Sequence, residues 1–231
     1  MYSVKAILGY QSMYTGKSRI LFTEQSPISG NLGTYMSQNQ HIEQSYLASL
    51  QRHLDVFNTM ANYHKESMQL LEACKKALAN GGKVIWFGNG GSAADAQHLA
   101  AEFVVRYKLE RGPLASIALT TDTSILTAHS NDYHFDTVFE RQVQALCKPE
   151  DLVIGLTTSG TSTNINLALQ AANDIGAFTV ALTGREGGKV RDIANLPIII
   201  RNDETARIQE AHMFIGHWLC EAIDMSMAEQ Q

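Results

Sequence analysis

Apolar positions change rhythm partway along the chain. Between Gln40 and Gly81 they recur at helical steps: Ile42, Leu47, Leu50, Leu54 and Phe57, then Met68, Leu71, Cys74 and Leu78, with Gly81-Gly82 closing the section. From Lys83 onward the apolar residues come in short unbroken runs: Lys83–Phe87 (KVIWF), Ser116–Leu119, Leu152–Leu156, Phe178–Leu182 and Leu196–Ile200. Between the runs lie helical patterns. One follows a glycine loop and continues through Tyr107, and others span about 134–147, 163–175 and 187–195. A long final helix is expected from about Asp203 to Met227. Strands without polar alternation are buried on both faces, so the pattern predicts an α/β fold: a parallel five-stranded sheet flanked by helices, preceded by an N-terminal helical segment. Ligands of such sheets sit beyond the carboxyl ends of the strands.

Residues 1–35 break this order. They are rich in Ser, Gly, Tyr and Gln, show no helical period and carry no acid before Glu24. A disordered extension is expected there, with Met36 as an alternative start, and residues 36–231 are expected to form a single domain. Lys5, Lys17 and Arg19 are too few for a transit peptide. Hydrophobic residues make up 45% of the 231, enough for a proper core, and the net charge of −5 offers no general attraction to nucleic acid or anionic membrane. The three cysteines, Cys74, Cys147 and Cys220, are odd in number and form no CxxC pair, which favours reduced thiols in a cytoplasmic protein. No apolar run approaches the ~20 residues of a membrane helix.

The loops after the strands hold the candidate chemistry. After the first comes Gly88-Asn89-Gly90-Gly91-Ser92, then a helix. The glycines allow close backbone approach, the helix start attracts an anion, and Ser92 suits an N-cap; a tight turn without ligand fits equally. The GxGxxG and GxxxxGK[ST] spacings are absent. After the third strand, Thr157-Thr158-Ser159-Gly160-Thr161-Ser162-Thr163 packs six hydroxyls around one glycine. That is more than an N-cap needs and suits a phosphate.

His98 and Glu102 lie four apart on the helix after the glycine loop, so they share a face. Taken alone this is an ordinary surface pair, although the spacing also serves a metal pair or a base with its partner. Arg106 continues the face, available to an anionic substrate or to Glu102. On the last helix Gln209 and His217 share one broad face, while His212 reads as a core or interface histidine.

Several of these segments occur together in one known family. The run GKVIWFGNGGSAADAQHLAAEFVVRY, the segment LTTDTSILTAHSNDY, the loop TTSGTS, the turn ALTGREGG and the helix RIQEAH resemble the phosphoheptose isomerases of the sugar-isomerase (SIS) fold, over about residues 40–226. The resemblance implies a flavodoxin-like three-layer SIS domain. It also implies conversion of D-sedoheptulose 7-phosphate to D-glycero-D-manno-heptose 7-phosphate, the first step toward the heptose of lipopolysaccharide core, by a cytoplasmic homotetramer with active sites shared between subunits and often holding zinc. Carried over by position, Asn89, Gly90 and Gly91 match the first substrate loop, and Thr121 and Asp122 a second contact. Thr157, Thr158, Ser159 and Ser162 match the phosphate cradle. His98, Glu102, Gln209 and His217 match the zinc ligands; Glu102 and Gln209 also match substrate contacts, and Glu102 and His217 the acid–base pair. Thr205-Ala206 stands where some members have an aspartate. The DnaA-associating proteins of the same fold, which bind rather than isomerise, resemble Arg207–Asp224 nearly as well, but lack the acid and histidine matching Glu102 and His217. A sugar-phosphate sensor without turnover is the third reading.

Overall fold

A computed structural model describes residues 32–228, with side chains from residue 40. The extension expected over residues 1–35 therefore lies outside the described residues as far as residue 31. The chain divides into two compact units, Met1–Ser45 and Tyr46–Gln231. The described part of the first is the opening of helix α1 (Leu32–Phe57), so the boundary expected at 35/36 falls inside a helix.

The second unit continues α1 and adds α2 (His64–Ala79), β1 (Val84–Gly88), α3 (Gly91–Val104), β2 (Ser116–Ala118), α4 (Thr123–Asp132), α5 (Val138–Leu146), β3 (Leu152–Thr157), α6 (Thr163–Ile175), β4 (Phe178–Gly184), α7 (Val190–Ile193), β5 (Leu196–Ile200) and α8 (Thr205–Ala228). The strands stand in the order β2-β1-β3-β4-β5, all parallel. Alternate residues of β1, β3 and β4 feed two cores, whereas β5 at the edge feeds one. Val84 and Trp86 face one that holds Leu70, Leu99, Phe103 and Leu219, from α2, α3 and α8. Ile85 and Phe87 face the other, with Phe139, Val143, Ile165 and Leu169 from α5 and α6. Burial on both faces is why the strands read as continuous apolar runs.

The expected strands are present at or within two residues of their expected ends. Helix α4 was not foreseen. None of its residues is buried, so no apolar period marks it. Helix α3 ends at Val104 rather than Tyr107, and a loop follows.

After β2 the chain crosses to the other side of β1 to form β3. The loops leaving β1 and β3 thus lie side by side, at the point where an open α/β sheet receives its ligands.

Candidate active site

At that point two helices begin without a side-chain cap. Helix α3 starts at Gly91 after Gly90, whose φ of +56° suits glycine, and α6 starts at Thr163 after Ser162. Uncapped first-turn N–H groups and the positive helix end together favour an anion. Ser92, expected as an N-cap, instead lies inside α3, where its N–H donates to the Asn89 carbonyl at 3.0 Å. A Cβ on Gly91 would come within 2.6 Å of Gln209 Nε2, so glycine is what leaves room for Gln209. The Gln209 amide in turn reaches the buried Ser92 hydroxyl at 3.5 Å.

Both polar atoms of the Asn89 side chain are engaged. Its amide donates to Asn164 Oδ1 and its carbonyl accepts from Asn164 Nδ2, both at 2.9 Å. This reciprocal pair ties the two strand-end loops together, so the Asn89 side chain braces the site. Nothing in the sequence singled out Asn164, which is buried at the start of α6.

In the hydroxyl loop, Thr157 Oγ1 accepts from the Gly160 N–H at 3.2 Å, and Ser159 Oγ accepts from the Thr161 N–H at 3.3 Å. Those hydroxyls shape the turn. Thr158 is half-buried, and Ser162 at the N-cap makes no capping bond. Gly160 has φ +68°, and a Cβ there would fall 2.0 Å from the Gly187 carbonyl. The loop is therefore packed backbone to backbone on the Gly187-Gly188 turn, which accounts for glycine in both motifs. Beyond β2, Asp122 caps α4 by accepting from the Ile125 N–H at 3.0 Å, and Thr121 donates its hydroxyl proton to the Ala118 carbonyl.

The second cluster lies where α3 and α8 pack together. Gly216 lets the helices approach: a Cβ there would lie 2.6 Å from both methyls of Leu99. Beside this contact, at the residue before Leu99 and the residue after Gly216, His98 Nε2 and His217 Nε2 are 2.9 Å apart, one ring donating to the other. Glu102 Oε1 lies 3.5 Å from His98 Nε2. Tyr107, from the loop after α3, stacks on the His217 ring at 5.6 Å and 15°. Burial, then the neighbouring His98, holds His217 below the usual imidazole range, while the Glu102 carboxylate pulls it upward.

One expectation about this cluster needs correction. Arg106 lies beyond the end of α3, so it does not continue the His98–Glu102 face, and its guanidinium is 3.5 Å from Glu110 rather than paired with Glu102. Gln209 has its contact at Ser92 and shares no hydrogen bond with His98, Glu102 or His217. Of the four expected metal ligands, His98, Glu102 and His217 are linked by direct contacts, and Gln209 is not hydrogen-bonded to them. Two imidazole nitrogens and a carboxylate are donors that zinc accepts. As placed, however, they do not make a metal site: among the described residues, no three His, Cys, Asp or Glu side chains are arranged to hold an ion.

Comparison with known proteins assigns the chain to a family. The SIS domain family model matches residues 45–184. The phosphoheptose isomerase of Aquifex aeolicus is 55% identical over 168 residues, covering 73% of this chain and 88% of its own. The chain belongs to the phosphoheptose isomerase family. Among solved structures, the family member GmhA of Neisseria gonorrhoeae superposes with a TM-score of 0.76 at 39% identity, covering 80% of this chain and 99% of that one. The phosphoheptose isomerase of Francisella tularensis gives 0.76 at 35%, covering 79% and 97%.

The three thiols lie outside the site of this isomerase-family chain. Cys74 and Cys220 are buried, and burial pushes Cys220 up to about 12, so neither is a nucleophile at neutral pH. His212, read as a core histidine, is fully buried with Nε2 3.1 Å from the Thr183 carbonyl.

Proposed function

We propose that the chain converts D-sedoheptulose 7-phosphate into D-glycero-D-manno-heptose 7-phosphate through a cis-enediol. The single observation that carries the mechanism is the meeting of His217 with the His98–Glu102 pair, on α8 and on α3, which itself begins at one of the two uncapped helix starts.

In this reading, Glu102 takes a proton from C1 of the ketose while His217 delivers one to the C2 oxygen, giving the enediol. The C1 hydroxyl then loses its proton to His217, and Glu102 returns a proton to C2, completing the aldose. Thr157, Thr158, Ser159 and Ser162, with the first turn of α6, hold the phosphate away from the reacting carbons. Its binding energy then positions the sugar. Asn89, Gly90, Gly91, Ser92, Thr121, Asp122 and Gln209 line the sugar, and Arg106 is kept as an outer contact for an anionic substrate. His98, Glu102 and His217 would hold a zinc ion, which when bound polarises the substrate carbonyl.

The apolar stripe on α1 supports assembly as a homotetramer with active sites at the subunit interfaces. Tyr46, Leu47, Leu50 and Leu54 are all exposed on the single chain. No described helix is long and apolar enough to cross a membrane, and the net charge is negative. Both fit a cytoplasmic enzyme serving lipopolysaccharide core synthesis without nucleic-acid partners.

The test is incubation of purified protein with sedoheptulose 7-phosphate, with chelator and with added zinc, followed by product identification. Formation of the heptose 7-phosphate supports the reading. Unchanged ketose in the presence of zinc contradicts it: tight sugar-phosphate binding would then favour a sensor, and capture of DnaA the replication regulator.

A further inference from the structure

The loop after α3 is fastened by an ion pair that the proposed mechanism does not use. Arg111 and Asp224 are joined at 2.7 Å, with side chains only 4% and 1% exposed. Besides Asp224, the guanidinium reaches the end of α3 and the loop that follows it. Nη2 donates to the Glu102 carbonyl at 2.8 Å, while Nη1 donates to the carbonyls of Phe103 at 2.9 Å and Gly112 at 3.0 Å. The final carbonyls of a helix have no partner inside it, and a cation there also suits the negative end of the helix. Asp224, two turns beyond His217 on α8, accepts from the N–H groups of Lys108 at 2.7 Å and Leu109 at 2.9 Å. Those two residues directly follow Tyr107, whose ring lies on His217. A second pair, Lys108 with Glu221 at 2.9 Å, reinforces the same junction from the surface.

One buried pair therefore touches the backbone of Glu102, the backbone beside Tyr107, and the helix that carries His217. We propose that Arg111 and Asp224 are positioning residues for the isomerisation: the pair locks the carboxyl end of α3 to α8 and so sets the separation of Glu102 from His217, with Tyr107 held against the imidazole. The inference rests on the reading of Glu102 and His217 as the acid–base pair. Burying two charges costs more than an apolar pair of the same volume would. Fixing two helices that each supply one half of a proton relay gives that cost a purpose, because misplacement by about 1 Å lowers turnover about 100-fold.

The experiment compares kcat and KM for sedoheptulose 7-phosphate in three variants of the full chain, with folding checked by circular dichroism. Arg111→Lys keeps a cation for Asp224 but loses the planar fork that reaches several carbonyls at once. The double variant Arg111→Met with Asp224→Leu removes both charges, leaves no unpaired ion in the interior, and covers the case in which the single variant does not fold. Glu102→Gln tests the underlying reading. The expected result is a fall in kcat of about 100-fold in the folded clamp variants, with KM changed less than about threefold because the phosphate grip lies elsewhere. Unchanged kcat in a folded clamp variant, beside an inactive Glu102→Gln, would overturn the clamp alone. So would kcat falling only in proportion to the folded fraction. Full activity in Glu102→Gln would overturn the acid–base reading and the clamp with it.

Discussion

Asn89 and Asn164 exchange two amide hydrogen bonds at 2.9 Å across the gap between the loops that leave β1 and β3. Neighbouring strands in an open sheet diverge into separate helices at this point, and nothing in the sheet itself fixes how wide the resulting cleft is. The amide pair does. Replacing Asn164, which is buried, with Ala leaves the half-buried Asn89 amide without its partner. Stability should fall by about 1–3 kcal/mol, read from denaturant midpoints. KM for the sugar phosphate should rise about tenfold with a smaller change in kcat, because in the proposed reading these loops hold the phosphate and the sugar, and the proton-transfer groups lie on α3 and α8.

Gly216 should prove as sensitive as a catalytic residue without being one. Its α-carbon faces Leu99, which is fully buried, so an added methyl has no free space. Gly216→Ala should cost about 1–3 kcal/mol through overpacking. It should also push α8 off α3 and lengthen the contact between His98 and His217. The check is kinetic: kcat should fall more than the folded fraction does, whereas a proportional fall would assign Gly216 to packing alone.

His212 predicts how the fold responds to acid. Burial lowers its pKa from 6.5 to about 4, partly opposed by the bond to the Thr183 carbonyl. Between those values the unfolded chain binds a proton that the folded chain refuses. The stabilisation is therefore complete above about pH 6.5 and drains away as the pH falls toward 4, by about 3 kcal/mol in all. In His212→Gln, unfolding free energies measured across that range should lose this slope. A slope identical to that of the parent protein would mean that His212 is not the group responsible.

Much of the architecture could be read from the chain because the sheet is covered on both faces. Double burial forces unbroken apolar runs, and KVIWF and LVIGL mark two strands with no further clue. The positions of the two candidate loops followed, since strand ends in a parallel sheet locate them. What stayed hidden depended on packing between distant segments. Helix α4 buries nothing and so carries no period. Asn164, Tyr107 and Arg111 are ordinary residues whose roles arise from partners 75, 110 and 113 positions away. Arg106 was misread because the helix pattern ran smoothly past Val104, where the loop fastened by Arg111 and Asp224 ends it.

The proposed metal site makes a separate prediction. His98 supplies one of the two imidazoles and is not assigned a proton-transfer role. His98→Ala should therefore lower bound zinc per chain, measured by elemental analysis after dialysis, while sugar-phosphate affinity is retained. Equal zinc content in the variant and the parent would remove His98 from the ligand set.

Glu102 offers the most direct measurement. In Glu102→Gln the side chain keeps its shape and loses its basicity. Exchange of solvent deuterium into the substrate, together with product formation, should drop about 1000-fold. Calorimetry should still show sedoheptulose 7-phosphate binding with near-parental affinity. Turnover within about tenfold of the parent would mean that another group moves the carbon-bound proton, and the meeting of Glu102, His98 and His217 would need a different explanation.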